Sequence, residues 1–453
     1  MKRAEFIQEA KLLIQLAIPI FLAQIALTSL GVVDTLMSSW VGTHDLAAIG
    51  LGSSILLPIF MVPTGILLAL TPLIAKSYGK QDHLQIRLFL IQGLWVALPL
   101  GAIAALVLLN LKPLLLSLSL EPEVFRLTLD YLTYIAWGLP GIALFQALRF
   151  FWEGLGKTLP TMLISFFALL INIPLNAIFI YGLGPIEAQG AAGCGIASSL
   201  VMWSMFLVGL GYVLSGFETR QYLNKLLEKP NFSAIKSILT LGIPNTLALL
   251  FEVSLFSLIA LFIAQLGSVV IAAHQIALSY SSLVFMVPLS LSMAVSVRIA
   301  TVYGQNNKVR LLSVYKVSMA IALAVGLILM SFTYLLNQTI VGWFTSDAAV
   351  SQLALILLFY AIAYQVFDSI QSTSAGALRG LHNTKITMVV TFVSYWLIGL
   401  GMGYVLSLTD ILVPAMGVEG FWLGIFIGIF FAAVILTFQL RQLMKRTVLE
   451  MAS

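Results

Sequence analysis

Long apolar runs and short polar breaks follow one another along almost the whole chain. The runs exceed twenty residues, and they lack the strict alternation of polar and apolar positions that a barrel strand shows. About twenty helical residues cover the roughly 30 Å of a bilayer's hydrocarbon core. Because lipid requires every backbone polar group to be satisfied within its own segment, the pattern predicts an all-α integral membrane protein.

Twelve such runs stand between polar breaks, and each is predicted to be one transmembrane helix. The first six predicted spans are about 12–38, 50–75, 88–110, 128–150, 160–183 and 191–214. The second six are about 236–264, 274–300, 314–336, 351–376, 387–406 and 419–440. The first run is too long for a signal peptide, so we interpret it as a retained helix.

Basic residues are distributed unevenly between the two sides of the predicted membrane. With twelve spans, both termini and five alternate loops lie on one side, which carries 21 of the 23 Lys and Arg residues. The opposite side carries Lys112 and Arg126. Cytoplasmic loops are enriched in Lys and Arg, so both termini are predicted to be cytoplasmic. This rule accounts for the basic charge, and no nucleic-acid partner is predicted.

Composition argues against an enzyme. The chain is 60% hydrophobic and 9% charged, whereas soluble domains are about 25% charged. The sequence has no GxxxxGK[ST] loop for phosphate, and its four histidines lack the spacing of metal ligands. Its one cysteine, Cys194, excludes an internal disulfide. We therefore predict a protein that is not an enzyme, has no cofactor and does not use ATP.

The two halves of the chain repeat each other at an interval of 225 residues. Pro19 aligns with Pro244, and the tetrapeptide FMVP occurs in both halves at the same interval. Each repeat holds six predicted helices, so both enter the membrane from the same side, as in many transporters. We predict two pseudo-symmetric six-helix lobes, 1–216 and 233–453, joined by a cytoplasmic linker at 217–232. A duplication kept only for packing is the alternative.

Three acidic residues lie deep inside predicted spans: Asp34 in the first, Glu252 in the seventh and Asp368 in the tenth. A charge at the bilayer centre costs roughly 2.5–3.5 kcal/mol on insertion scales, so such a residue normally faces protein or water and has a function. No basic residue shares their predicted depth. A structural acid that stays protonated and bonds a backbone carbonyl is the alternative for each.

The chemistry of these acids suits ion coupling. A carboxyl group inside apolar protein favours its protonated form, whereas an approaching cation favours the ionised form. Such a group can exchange a proton for a cationic substrate. Two carboxylates with neutral oxygens can instead hold Na⁺, because hard cations prefer oxygen ligands. Glu252 and Asp368 are therefore candidate Na⁺ ligands.

Other polar residues accompany the acids. Tyr364 lies one helical turn before Asp368 and so on the same face. Asn172 and Asn176 are one turn apart in the fifth predicted span. Two amides on one face of a membrane helix predict a polar strip that lines a cavity, with hydrogen bonds between helices as the alternative.

Two further predictions concern the cytoplasmic side and the aromatic residues. Glu153 stands near Arg149 and Lys157 at the predicted end of the fourth span. We interpret it as a solvated loop residue, with a gate contact as the alternative. Phe256 and Phe285 are candidates to line a substrate chamber.

With these residues identified, the chain resembles the multidrug and toxic-compound extrusion (MATE) family, in its NorM-like bacterial branch. The resemblance covers essentially the whole chain and includes the duplicated twelve-helix plan and Glu252. It also rests on VVDTLMSSWVGTHDLAAIG at 32–50, EGLGKTLP at 153–160, NIPLNAIFIYG at 172–182, AAHQIA at 272–277 and YQVFD at 364–368.

The resemblance implies a bacterial inner-membrane antiporter that exports amphipathic, mostly cationic drugs and dyes in exchange for Na⁺ or H⁺. It implies a V-shaped arrangement of the two lobes. In the N-terminal lobe it implies proton coupling and conformational change at Asp34, beside a cavity lined by Asn172 and Asn176. In the C-terminal lobe it implies cation binding by Glu252, Tyr364 and Asp368.

Our hypothesis is cation-coupled export by alternating access, with the two lobes rocking and with Na⁺, H⁺ or both as the coupling ion. A monomer is expected. The alternative is a lipid-linked oligosaccharide flippase of the same two-lobe plan, which would need several basic residues in its cavity for a pyrophosphate. Here Arg149, Arg298 and Arg379 stand near predicted cytoplasmic helix ends. A passive channel, another alternative, would conduct ions without exporting a substrate.

Overall fold

The computed structural model describes residues 3–118, 120–183, 185–223 and 228–451, which form helices and no strand. Within these ranges, eleven helices are long and apolar enough to cross a membrane. The number is twelve when one bent pair of shorter helices counts as a single span. The predicted all-α membrane fold is confirmed, with twelve spans on that count.

Ten helices precede the predicted linker or overlap its start, and the first six predicted spans overlap them. They are α1 (Arg3–Ser39), α2 (Thr43–Leu67), α3 (Leu70–Gly79), α4 (His83–Leu109), α5 (Lys112–Ser117), α6 (Pro122–Ala136), α7 (Leu139–Gly154), α8 (Leu159–Tyr181), α9 (Gly190–Ser215) and α10 (Phe217–Arg220).

The remaining helices form the second half of the chain. They are α11 (Phe232–Ile263), a 3₁₀ turn (Ala264–Leu266), α12 (Ser268–Gly304), α13 (Lys308–Phe344), α14 (Ala348–Gly380), α15 (Thr384–Thr391), a π-helical segment (Phe392–Leu400), α16 (Gly401–Leu408) and α17 (Val418–Glu450).

The fourth predicted span, 128–150, is not one straight helix but the pair α6 and α7, which meet at 45°. Side chains of α9 satisfy carbonyl groups at the break: Ser199 Oγ donates to the Tyr134 oxygen at 2.7 Å, and Trp203 Nε1 donates to the Trp137 oxygen at 2.8 Å. A Cβ atom on Gly138 would lie 2.8 Å from the Ser199 Cα, so glycine permits this close approach. The bend is stable in an apolar surrounding because its carbonyls have donors.

The eleventh predicted span, 387–406, contains the π-helical segment in its middle. Helix α17 passes very close to this segment, because a Cβ on Gly424 would lie 2.4 Å from the Gly399 carbonyl oxygen. Such widened turns are rare and occur often at functional sites. The span is therefore continuous but changes its helical spacing halfway.

The described chain divides into two compact units. The N-terminal unit is Ile18–Thr246, and the C-terminal unit is Met1–Ala17 together with Leu247–Ser453. These boundaries fall inside α1 and α11, and so differ from the predicted lobe boundaries. The predicted linker at 217–232 stays a prediction, and its residues 224–227 lie outside the described residues.

Each unit has its own aromatic and aliphatic core. In the N-terminal unit the largest fully buried side chains include Trp152, Phe145 and Phe151. In the C-terminal unit, α14 packs against α12, α13 and α17, and Phe421 and Trp422 are fully buried. Polar groups that enter these cores therefore need partners inside the same unit.

An ion cluster ties the start of α1 into the C-terminal unit. Glu9 is 4% exposed. Arg298 on α12 donates two hydrogen bonds to its carboxylate, at 2.7 and 2.8 Å. Arg310 on α13 adds a third at 2.7 Å. Two-pronged arginine contacts are among the stronger polar interactions, so this cluster holds the start of α1 against a distant part of the sequence.

We expect Glu9→Gln to destabilise the C-terminal unit by about 1.5–3 kcal/mol, the typical contribution of a hydrogen bond to a charged group. The glutamine amide would turn an N–H group toward one of the two guanidinium groups. Thermal unfolding of the purified protein in detergent measures the loss. Gln8→Ala, at an exposed neighbouring position of α1, is the matched control. Equal midpoints for the two variants would contradict a stabilising role for the cluster.

Candidate cation-coupling sites

The structure brings Asp34, Asn172 and Asn176 together in the N-terminal unit. Asn172 Nδ2 donates to Asp34 Oδ1 at 3.0 Å, and Asn176 Nδ2 donates to the same oxygen at 2.7 Å. All three side chains are buried. Since α8 donates to α1, these are hydrogen bonds between helices, and the lining of a cavity by the two asparagines stays a prediction.

Two residues of α9 complete this cluster, and the sequence interpretation missed both. Ser198 Oγ donates to Asp34 Oδ2 at 2.9 Å. Cys194, one turn earlier, is fully buried with its thiol beside the carboxylate. Their spacing of four residues on an apolar helix was the available signal, but small polar residues are common where membrane helices pack. We call Asp34, Asn172, Asn176, Cys194 and Ser198 the Asp34 cluster.

The Asp34 cluster holds a carboxylate by neutral donors. Within the described structure no Lys, Arg or His forms an ion pair with Asp34. The buried Asn176 Oδ1 has no hydrogen-bond partner among the described residues. Burial favours the neutral carboxyl group, whereas the donated hydrogen bonds favour the carboxylate. A site balanced in this way can accept a proton or a small cation without first breaking an ion pair.

The second set of predicted residues lies within electrostatic range of one another in the C-terminal unit. Asp368 on α14 lies close enough to Glu252 on α11 to interact with it electrostatically. Tyr364 interacts with Asp368, and both side chains are buried, whereas Glu252 is partly exposed. Tyr395, from the π-helical segment, interacts with all three and was missed by the sequence interpretation. We call Glu252, Tyr364, Asp368 and Tyr395 the Glu252 cluster.

A neighbouring hydrogen-bond network fixes the rotation of α14. Gln365, next to Tyr364, donates from Nε2 to Thr333 Oγ1 on α13 at 2.9 Å. Tyr280 on α12 shares a hydrogen bond of 2.7 Å with the same Thr333 oxygen. Since Gln365 and Thr333 are buried, this network holds the face of α14 that carries Tyr364 and Asp368.

The clustering of acidic, histidine and cysteine side chains shows which residues could act as ligands of a cation. In the parts of the chain that the structure describes, no group of three or more His, Cys, Asp or Glu side chains is arranged to hold a metal ion. A cation between Glu252 and Asp368 would therefore draw further oxygens from hydroxyl groups, carbonyl groups or water. The hydroxyl groups within the Glu252 cluster are those of Tyr364 and Tyr395.

The interpretation of Glu153 as a solvated loop residue is wrong. Its side chain is 0% exposed, and it accepts hydrogen bonds from Arg149 Nε at 2.8 Å and from Thr161 Oγ1 at 3.0 Å. Arg149 is also buried and reaches Gln24 Oε1 at 3.2 Å. The start of α8 returns over this end of α7, so charges that look exposed in the local sequence lie inside the N-terminal unit.

The candidate chamber residues and a cavity lie in the C-terminal unit. Phe256 packs partly buried against its hydrophobic core, and Phe285 is partly exposed. A cavity of about 290 Å³ is lined by Ala272, Gln275, Ile276, Ser279, Phe344, Thr345 and Val350. It contains none of the Glu252 cluster, so this space is separate from the predicted cation ligands.

Comparisons with known families and proteins agree with the resemblance. The MatE family model matches residues 19–178 and again residues 244–405. The two matches begin at residue 19 and residue 244, the interval of the internal repeat. One model therefore covers both halves of the chain.

Curated relatives match over nearly the full length. The "Probable multidrug resistance protein NorM" of Shewanella oneidensis is 42% identical over 451 residues, which are 99% of this chain and 97% of that protein. The "Multidrug resistance protein MdtK" of Yersinia pseudotuberculosis is 40% identical over 444 residues, which are 98% of this chain and 97% of that protein.

Solved structures share the fold at low sequence identity. A MATE structure described as the bent conformation has a TM-score of 0.89 at 21% identity and covers 100% of both chains. The eukaryotic MATE transporter AtDTX14 has a TM-score of 0.86 at 20% identity, with 98% of this chain and 100% of that chain covered. At such identities the likeness extends to the fold alone.

Proposed function

We propose, because this chain belongs to the MatE family, that it is a multidrug efflux transporter that exports amphipathic cationic compounds in exchange for Na⁺ or H⁺. The efflux activity follows from relatives that carry the name multidrug resistance protein at 40% and 42% identity. The exchange for an ion is our own inference. The observation that carries it is the Asp34 carboxylate, buried and held by three neutral donors.

The Asp34 cluster supports coupling because its charge can change without loss of an ion pair. When Asp34 is ionised, the amides of Asn172 and Asn176 and the Ser198 hydroxyl stabilise the negative charge. When Asp34 has bound a proton or a cation, its negative charge is neutralised and it needs fewer hydrogen-bond donors. The charged and neutral states of Asp34 prefer different surroundings. A bound ion can therefore favour one conformation of the protein over another.

The Glu252 cluster supports a second place for the coupling ion. Two nearby carboxylates in the C-terminal unit repel each other when both are ionised, and a proton or a cation between them removes the repulsion. Tyr364 and Tyr395 add neutral oxygens, which suit Na⁺. We assign cation binding to this cluster and proton-linked conformational change to the Asp34 cluster.

The distribution of charged residues also indicates the membrane orientation of the chain. We propose that it spans a bacterial inner membrane as a monomer with both termini in the cytoplasm. The distribution of Lys and Arg supports this orientation, since 21 of 23 fall on the side of the termini. Its substrates are then small cationic molecules, and its family consists of transporters rather than enzymes.

Ethidium flux in proteoliposomes tests the proposal. Liposomes that hold the purified protein and ethidium are placed first in an inward Na⁺ gradient and then in an inward proton gradient. We expect at least one gradient to increase the initial rate of dye exit, and an ionophore that collapses that gradient to abolish the increase. Protein-free liposomes correct for passive leakage.

The Glu252→Gln variant separates the two clusters in the same assay. If a Na⁺ gradient drives exit and Glu252→Gln abolishes it, the C-terminal unit holds the coupling ion. If a proton gradient suffices and Glu252→Gln retains activity, coupling resides in the Asp34 cluster. Absence of gradient-driven exit for ethidium and every other cationic dye would refute drug antiport and favour the flippase.

A further inference from the structure

Three aromatic rings in the C-terminal unit pack together beside the stretch of α11 that carries Glu252. Phe251 precedes the acid on α11, and Phe392 and Trp396 come from the π-helical segment. Ring centroids are 5.0 Å apart for Phe251 and Phe392, 6.0 Å for Phe251 and Trp396, and 6.2 Å for Phe392 and Trp396. These are contact distances for aromatic pairs. We call these three residues the aromatic triad.

Hydrogen bonds hold the triad against α11. The indole Nε1 of Trp396 donates to the Phe251 carbonyl oxygen at 3.3 Å and to Ser254 Oγ at 3.1 Å. These acceptors stand one residue before and two residues after Glu252. The indole N–H is the one polar donor that a tryptophan side chain has, so this contact fixes the ring, which also packs against Phe251 and Phe392.

The triad does not belong to the sealed core of the unit. Phe251, Phe392, Trp396 and Glu252 are all partly exposed. By contrast, Phe421 and Trp422 in the same unit are 0% exposed. A partly exposed acidic residue and three partly exposed aromatic residues therefore lie on neighbouring parts of two membrane spans, which is an unusual combination for simple packing.

An organic cation fits this combination better than the other candidate ligands. A cation over an aromatic face gains about 0.5–1 kcal/mol when exposed and about 2 kcal/mol when desolvated. The Glu252 carboxyl group adds an opposite charge. An inorganic cation prefers oxygen ligands, which the rings do not supply, and a neutral aromatic molecule would leave the carboxylate without a partner.

We propose that the aromatic triad and Glu252 form a subsite for an organic cation that bears a quaternary ammonium group or a charged aromatic ring. The inference rests on the proposed function, because export of cationic compounds requires a site that recognises them. It assigns recognition of the organic part to Phe251, Phe392 and Trp396. Glu252 then serves both the substrate's charge and the Glu252 cluster.

Equilibrium binding of ethidium to the full-length protein in lipid nanodiscs tests the subsite. We expect Phe392→Leu and Trp396→Leu each to raise the dissociation constant by about 2- to 30-fold, which corresponds to 0.5–2 kcal/mol of cation–π energy. The matched control is Phe430→Leu. Phe430 belongs to another group of four rings in the same unit, and its centroid lies 5.0 Å from that of Phe367, 6.4 Å from that of Phe426 and 5.9 Å from that of Phe431. That control is expected to bind ethidium as the wild type does.

Two further substitutions at Trp396 separate recognition from packing. Trp396→Phe keeps a ring face but loses the donor to Phe251 and Ser254. If the ring face recognises ethidium, the affinity of Trp396→Phe should be closer to that of the wild type than to that of Trp396→Leu. If the hydrogen bond of Trp396 has only a structural role, both variants should lose the same affinity. Site-specific fluorotryptophans at 396 keep the shape while each fluorine weakens the negative ring face. We expect the dissociation constant to rise with fluorine number, and an unchanged constant across the series would overturn the proposal.

The outcomes also distinguish this inference from the proposed function. If the wild type exports ethidium under a gradient while the triad variants bind it with unchanged affinity, the subsite is refuted and the transporter stands. If the wild type neither binds nor exports any organic cation, the proposed function fails and the subsite fails with it. Weakened binding and slower export in the triad variants, with a normal Phe430→Leu, would support both.

Discussion

An Asp34→Asn variant is expected to reach the membrane and to lose gradient-driven ethidium export. The substituted amide has nearly the same size but cannot carry a negative charge or take up a proton. If its N–H₂ group takes the place of Oδ1, it faces the N–H₂ donors of Asn172 and Asn176 and lacks an acceptor there. If it takes the place of Oδ2, it can donate to the Ser198 hydroxyl, but the two asparagines keep an amide oxygen in place of a carboxylate. An unsatisfied buried donor costs about 1–3 kcal/mol, and each 1.4 kcal/mol is a tenfold change. Initial rates of dye exit from proteoliposomes measure the effect.

A graded variant and a matched control make this result specific. Ser198→Ala removes one of three donors to the Asp34 carboxylate, and we expect it to shift the balance between the two gradients rather than to stop export. Ser204→Ala, on the same helix, removes a hydroxyl that donates to the Val201 carbonyl oxygen within that helix, and it should behave as wild type. Wild-type rates for Asp34→Asn under both gradients would refute a coupling role for the Asp34 cluster.

The membrane spans could be predicted because their length is set by the bilayer. The predicted span 160–183 corresponds to α8 at Leu159–Tyr181, and the span 314–336 lies inside α13 at Lys308–Phe344. Helix α13 is longer than its predicted span because polar and amphipathic turns extend it beyond the apolar window. Its start is set by the Asn307 side chain, which accepts a hydrogen bond from the Arg310 N–H.

The breaks within spans could not be predicted, because they depend on contacts between distant segments. The bend between α6 and α7 needs the donors of Ser199 and Trp203, which come from another helix. The close approach of Gly424 to the π-helical segment is likewise a tertiary contact. Neither feature leaves a clear local pattern of hydrophobic and polar residues.

The candidate sites were partly predictable for a related reason. Carboxyl and amide groups are rare at membrane depth, so Asp34, Asn172 and Asp368 stand out one by one. Their partners Ser198 and Tyr395 do not, since small hydroxyl residues and aromatic residues are frequent in membrane helices. Which residues meet is decided by packing between helices more than a hundred positions apart in the chain.

Glu153 shows how local polarity misleads. Arg149, Glu153 and Lys157 recur every four residues near a helix end, which is typical of a solvated face. In the structure the first two are buried, and Lys157 instead donates to Glu218 near the surface and lowers the pKa of that carboxyl group. Residues at the same four-residue spacing therefore form one buried ion pair, Arg149 with Glu153, and one exposed ion pair, Lys157 with Glu218. The two pairs can be compared by mutation.

Arg149→Met is expected to destabilise the N-terminal unit by about 3–5 kcal/mol, the usual consequence of removing one partner of a buried ion pair. Arg149 and Glu153 are 3% and 0% exposed, so the remaining carboxylate would have Thr161 as its one donor among the described residues. Thermal unfolding in detergent, with the folded fraction followed by size-exclusion chromatography, measures the loss. Lys157→Met, which breaks the exposed pair with Glu218, should cause little measurable change.

The double variant Arg149→Met with Glu153→Gln decides whether the uncompensated charge is the cause. Replacing both members removes the charge and leaves a neutral amide that can still accept the Thr161 hydroxyl, so much of the lost stability should return. If the double variant is as unstable as Arg149→Met, the arginine contributes through its packing and its contact with Gln24 rather than through the ion pair. If Arg149→Met is as stable as Lys157→Met, the pair does not stabilise this end of α7.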